Sequence, residues 1–290
     1  MHTTLLTFLL WLLASVLYAQ NGTEIYLLDL TESAGSLTLS NPRNVSDKPG
    51  YDNQPFFHPA KPLLYYTSMM DDKQTDIWSY NLTTGIRMPV THTPDSEYSP
   101  TVLPDKQHVS CIVQRKANGD QDLVRYSLQN PTATTRLLES QKTGKIGYQA
   151  WLNAQEAVVF VLGEPSSMHY MNFKTGKDTI MATQIGRSLH RIPRQNAFSF
   201  VQQVGDKWVI RAYDPTRNQV SELTESHPDS EHYNAWTNSG TLLESRGNEL
   251  WSFSLKTKQW QVVQLPENLP RRKLSRIAVW GRKIALVLDE

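Results

Sequence analysis

The chain holds one cysteine, Cys111, in 290 residues, so no intramolecular disulfide can form and the fold must be held by burial alone. Charge of one sign is also missing: 29 Lys and Arg stand against 28 Asp and Glu, which leaves no field to steer the protein to nucleic acid or an anionic membrane surface. No G-x-S-x-G elbow, P-loop, dinucleotide fingerprint or cysteine-based zinc motif occurs, which argues against α/β serine hydrolases, NTPases and Rossmann enzymes. Long hydrophobic runs are absent save one, Leu5 to Leu17, within MHTTLLTFLLWLLASVLYA. It is too short for an ordinary spanning helix and is followed by the small residue Ala19, so residues 1–19 read as a secretory signal peptide. The alternative is an uncleaved N-terminal anchor. Export places residues 20–290 in the periplasm or outside the cell, as one domain large enough for a core without staples.

What the sequence does contain is a repeat. Gln54 to Ser99 reads as four short strands, QPFF, PLLYYTS, TDIWSYNL and IRMPVT, separated by turn residues at HPAK, DDKQ and TTG. Equivalents of the first strand begin at Gln54, Ser99, Gln149, His190, Asn234 and Arg276, spaced by 45, 50, 41, 44 and 42 positions. Second strands follow as PLLYYTS, HVSCIVQ, EAVVFVL, AFSFVQQ, TLLES and KIALVLD, which places Cys111 as a buried strand residue. The sixth copy stops after two strands, at Glu290. Its missing pair lies at the other end: TEIYLLDL from Thr23 matches a third strand and SLTLSNPRNVS from Ser36 a fourth. The pattern predicts an all-β, six-bladed β-propeller whose last blade is shared between C-terminal and N-terminal strands, because closure removes exposed sheet edges.

Aromatics recur on third strands, at Trp78, Tyr80, Trp208, Tyr213, Trp251 and Phe253, where packing between blades explains them better than sugar stacking. The strongest internal echo pairs TPDSEYSP, from Thr93, with HPDSEHYNA, from His227. Pro94 and Pro228 are 134 positions apart, about three blade periods, so the two segments should face each other across the ring.

In a propeller, the crossover from a fourth strand to the next first strand lies at one mouth of the channel, where rigid scaffolds carry binding residues. The crossovers supply Asp52, Ser99, Gln149 and Lys273, and the set expected to bind: Asn53, Gln54, Glu97, Tyr98, Tyr148, His190, Glu231, His232, Tyr233 and Arg276. This mixture of carboxylate, imidazole, phenol and guanidinium suits a peptide terminus or small polar ligand. No catalytic residue and no cofactor is assigned. A metal centre would need several of His92, His190, His227 and His232 to converge with acidic residues, and their spacing supports no such site. Asn21, Asn44 and Asn81 begin N-x-[ST] sequons, relevant only if the source glycosylates.

The run from PFFHPAK through YYTS, TDIWSYNLTTG and PVTHTPDSEYSP to TVLPDKQ resembles the TolB-like propeller repeat, whose pattern joins a P-x-F-S-P-D-G turn, a strand ending near T-S, a D-I-Y/W strand, a glycine turn and an L-T. The match is good from Gln54 to Tyr126, moderate from Gln219 to Leu255 and faint between. The resemblance implies an exported propeller that binds protein or peptide partners at its channel mouth; the partner is expected in the cell envelope, and the chain is expected to be a monomer. TolB proper carries a further N-terminal α/β domain, whereas about thirty residues separate Ala19 from Gln54 here. Related repeats precede prolyl-peptidase domains, and a pectic-lyase branch carries metal-binding histidines whose set has no match in this chain. The rival to a binding scaffold is thus a metal-dependent carbohydrate-active or hydrolytic enzyme on the same framework.

Overall fold

A computed structural model describes residues 22–33, 35–69 and 73–290; the expected signal peptide and Asn21 lie outside the described residues. Six four-stranded antiparallel sheets stand in a ring. From the channel outward, blade 1 runs Asp52–Phe57, Leu63–Met69, Thr75–Asn81 and Arg87–Pro89. Blade 2 runs Ser96–Val102, His108–Gln114, Gln121–Ser127 and Thr134–Leu138. Blade 3 runs Ile146–Asn153, Glu156–Val161, Ser167–Asn172 and Lys177–Thr183. Blade 4 runs Ile185–Arg191, Phe198–Val204, Lys207–Asp214 and Gln219–Glu225. Blade 5 runs Ser230–Trp236, Leu242–Arg246, Glu249–Ser254 and Gln259–Val263. Blade 6 begins with Leu274–Trp280 and Lys283–Asp289 and is completed by Thr23–Ser33 and Ser36–Asn44.

The closure is a full ladder. Thr23 pairs with Asp289 and the register holds without a break to Asp29 opposite Lys283, where the two side chains form an ion pair at 2.5 Å. The seam is also tied to blade 1. Thr23 donates its hydroxyl to the Asp52 carbonyl at 2.9 Å, and the Asn53 amide donates to the Thr23 hydroxyl at 3.2 Å.

Alternation within strands builds the core. In Leu63–Met69, Leu64 and Tyr66 face blade 6, while Tyr65 faces blade 2. Cys111 and Ile112 diverge in the same way, Cys111 toward blade 1 and Ile112 toward blade 3. The result is six apolar wedges, one between each pair of neighbouring blades, rather than one central core. A strand buried on both faces carries unlike residues to two different wedges, which is why second strands such as HVSCIVQ read as nearly continuous apolar runs. Cys111 is fully buried, and burial pushes its thiol well above the usual range.

Turns between third and fourth strands share one local device. Asn81 accepts the amides of Thr83 and Thr84, Asn172 those of Lys174 and Thr175, and Asp214 those of Thr216 and Arg217. A short side-chain acceptor that mimics a backbone turn explains why N-L-T-T-G and N-F-K-T-G recur at equivalent places.

Each inner strand begins two to five residues before the start read from the sequence. Residues expected in crossover loops therefore sit within the innermost strands, as a consequence of a bulge that each of these strands carries.

Candidate functional site

Every inner strand breaks register near its start. The interruptions fall between Asn53 and Phe56, Tyr98 and Thr101, Ile146 and Tyr148, Ile185 and Leu189, Ser230 and Asn234, and Leu274 and Ile277. A bulge leaves residues out of the ladder and re-aims their side chains. Gln54, Ser99 and His232 take left-handed backbone at these points, with φ of 57°, 54° and 61°. The first two precede Pro55 and Pro100, and proline within a sheet is confined to edge strands, strand starts and bulges.

The bulges of blades 3, 5 and 6 meet in the channel. Arg276 donates from Nη2 to the Tyr148 hydroxyl at 2.7 Å and to the Tyr233 hydroxyl at 3.4 Å. Its guanidinium carbon stands 4.7 Å from the Tyr148 ring centre and 4.3 Å from that of Tyr233, within cation–π range of both. Blades 3 and 6 are three places apart in a ring of six, so this contact spans the channel. Gln54, Tyr148, Arg187, Tyr233 and Arg276 each line the cavities on both sides of it. The channel is thus divided by a septum into two chambers.

The chamber on the crossover face has a volume of about 560 Å³, with walls that include Tyr51, Asn53, Tyr98, Gln114, Gln121 and Glu231. Glu231 is ion-paired with Lys273 at this rim, and that bond raises the lysine's affinity for its proton. Burial pushes the Tyr51 phenol upward, so it remains a neutral hydroxyl. The chamber on the opposite face has a volume of about 400 Å³. Its walls combine Pro55, Phe56, Pro100 and Trp151 with Gln149, His190 and Asn234. Burial, reinforced by the charge of Arg276, holds His190 down to about 4, so the imidazole is neutral at pH 7. Its Nε2 lies 3.0 Å from the Ser188 hydroxyl.

Of the residues expected to bind, Asn53, Tyr98 and Glu231 line the crossover-face chamber, His190 the opposite one, and Gln54, Tyr148, Tyr233 and Arg276 the boundary between them. Gln54 also links two blades, its Oε1 accepting from the Thr67 hydroxyl at 2.8 Å and the Ser99 amide at 2.7 Å. Glu97 and His232 line neither chamber. Glu97 is fully buried and accepts from the hydroxyls of Thr93 at 2.6 Å and Tyr126 at 3.2 Å. Burial, with Asp76 close by, raises its carboxyl far enough to favour the protonated form. His232 stacks on Trp208 with ring centres 4.5 Å apart, and its Nδ1 lies 2.8 Å from the Ser226 hydroxyl.

The sequence reading missed Tyr51, Arg187 and Asn234. Arg187 lies in the inner strand of blade 4, two residues after its first residue Ile185. The usable signal was positional: Arg187 and Arg276 both fall in the inner-strand bulge.

The chain matches no protein-family model and no curated protein. Solved structures do resemble it. TolB from Acinetobacter baumannii is 15% identical with a TM-score of 0.61, over 93% of this chain and 64% of that one. A protein assigned as TolB from Agrobacterium tumefaciens is 11% identical with a TM-score of 0.71, over 93% and 99% of the two chains. A gluconolactonase from Xanthomonas campestris is 10% identical with a TM-score of 0.62, over 95% and 99%. This chain therefore spans under two thirds of the A. baumannii protein's length. At such identities the likenesses establish the propeller fold alone.

Proposed function

We propose that the protein is an exported binding propeller, periplasmic or secreted and monomeric, that takes a protein or peptide partner at the crossover-face mouth of its channel. The observation that carries this reading is the wall of that chamber. Tyr51, Tyr98, Tyr148 and Tyr233 surround it, with amides from Asn53, Gln114 and Gln121 between them. Tyrosine offers contact area at low entropic cost and a hydroxyl that hydrogen-bonds a backbone, while amides supply donor and acceptor together. The likeness to two TolB structures supports the same direction. The competing reading, a metal-dependent carbohydrate-active or hydrolytic enzyme, draws support from the gluconolactonase likeness. It would need several His, Cys, Asp or Glu side chains around one point, and among the described residues no group of three forms.

The test is partner capture from envelope extracts by the exported protein, compared with Tyr98→Ala and Glu231→Lys variants. Loss of the same captured proteins from both variants supports the reading. Equal capture by all three places the interface elsewhere.

A further inference from the structure

The two chambers differ in charge. The opposite-face chamber is lined by Lys106, Arg187, Arg191 and Arg276, and by no Asp or Glu among the described residues. None of the four cations forms an ion pair among those residues. The crossover-face chamber, by contrast, includes Glu231 and Asp289. Cations gathered in a confined space with low-dielectric walls repel one another and attract an anion.

Two further features mark the chamber as built for a ligand. Arg276 makes both its tyrosine hydrogen bonds through Nη2, which leaves its Nε and Nη1 donors without a partner among the described residues. Nε and Nη1 lie on different edges of the guanidinium, so each offers a separate charge-assisted hydrogen bond to a carboxylate. Two buried amides are also incompletely satisfied. Asn234, 2% exposed, has neither its side-chain nitrogen nor its oxygen bonded, and Gln149, 6% exposed, leaves Oε1 unbonded. Both line this chamber, and a buried polar atom without a partner costs free energy that a ligand would recover.

We propose that the opposite-face chamber binds an organic carboxylate: Arg276 and Arg187 hold the carboxyl group, Asn234 and Gln149 bond polar atoms beside it, and Phe56, Pro100 and Trp151 cover an apolar body. This goes beyond the partner site at the crossover-face mouth and does not depend on it: Arg187 and Arg276 belong to the septum that both chambers share, whereas Asn234, Gln149, Phe56, Pro100 and Trp151 line the opposite-face chamber and not the other. A free organic acid and the C-terminus of a peptide share this chemistry.

Isothermal titration calorimetry of the exported protein at low salt distinguishes the sources, with phenylacetate against phenylacetamide, and Gly-Gly-Phe as free acid against its C-terminal amide. Losing a charge-assisted hydrogen bond weakens binding about tenfold or more. The expected result is that at least one acid binds about tenfold or more tightly than its amide. The same acid should lose about as much with Arg187→Met or Arg276→Met. Phenylacetate alone identifies a small organic acid; the tripeptide acid alone identifies a chain end. Arg187 is exposed, so its variant keeps the test valid if Arg276→Met fails to fold. Acids that bind no more tightly than their amides, or equally to both arginine variants and the parent, overturn the proposal. Loss of partner capture at Tyr98 with acid binding intact separates the two sites.

Discussion

Arg276 and Tyr148 stand on opposite sides of the ring, and their 2.7 Å hydrogen bond joins blade 6 to blade 3 across the channel. Neighbouring blades already share an apolar wedge, but blades 3 and 6 share none, so this contact links parts of the molecule that the core leaves independent. Removing the hydroxyl with Tyr148→Phe deletes a hydrogen bond to a charged donor while keeping the ring face. A stability loss of roughly 1–2 kcal/mol is expected in urea unfolding. An unchanged midpoint would mean that water replaces the hydroxyl without cost.

Asp52 is fully buried beside the blade 1–blade 6 seam, and neither of its carboxylate oxygens has a hydrogen-bond partner among the described residues. Burial raises its pKa to about 6. The unfolded chain releases this proton near pH 4, about where free aspartate does, so the folded state holds it more tightly. Asp52 therefore favours folding below about pH 4, and that contribution is lost as pH rises through about 6. The ionised carboxylate costs roughly 1–3 kcal/mol at neutral pH. Asp52→Asn should flatten the fall in stability between about pH 4 and about pH 7 and match or exceed the parent at the upper end. A parallel pH profile for variant and parent would show that Asp52 ionises freely in the native state.

Deleting residues 23–44 removes the outer half of blade 6 and exposes one edge of Lys283–Asp289 along its whole length. It also removes Ile25 and Leu27 from one wedge and Leu28, Leu30, Leu37 and Leu39 from another. Calorimetry should show the single cooperative transition of the parent broadened or lost. A truncated chain that melts as the parent does would mean that five blades hold without closure.

Chelation separates the binding reading from its rival. Metal analysis of the purified exported protein should find no stoichiometric metal, and its melting temperature should be the same before and after chelator treatment. Bound metal with a large drop on chelation would transfer support to the metal-dependent enzyme and direct assays to polysaccharide and lactone substrates.

The ring was legible because its evidence is redundant: six copies agree on period, and TEIYLLDL supplies the strand that KIALVLD lacks. The site was harder, and the P-D-S-E echo shows why. In blade 2, Glu97 still pairs with Val113 and turns inward to Thr93 and Tyr126, because the bulge comes later, at Ser99 and Pro100. In blade 5, the register breaks directly after Ser230, so Glu231 lies in the bulge and reaches solvent and Lys273. The buried acid of blade 5 is instead Glu244, one strand further out, bonded to Ser226 and Arg246. Four identical letters thus have two fates, decided by bulge size, which depends on how each strand fits its neighbours rather than on local composition. At Gln54 and Ser99 the bulge residue is followed by a proline, Pro55 and Pro100. The bulges that place Arg187, Tyr233 and Arg276 have no such marker.

The seam in blade 6 joins Asp29 to Lys283, residues 254 positions apart. A chain made or delivered N-terminus first presents Thr23–Ser33 early, yet the strand it must pair with comes last. For that whole interval the hairpin of Thr23–Ser33 and Ser36–Asn44 leaves one edge unpaired, and pairing of such separation is intrinsically slow. Closure of the ring therefore waits until Lys283–Asp289 is available to the hairpin.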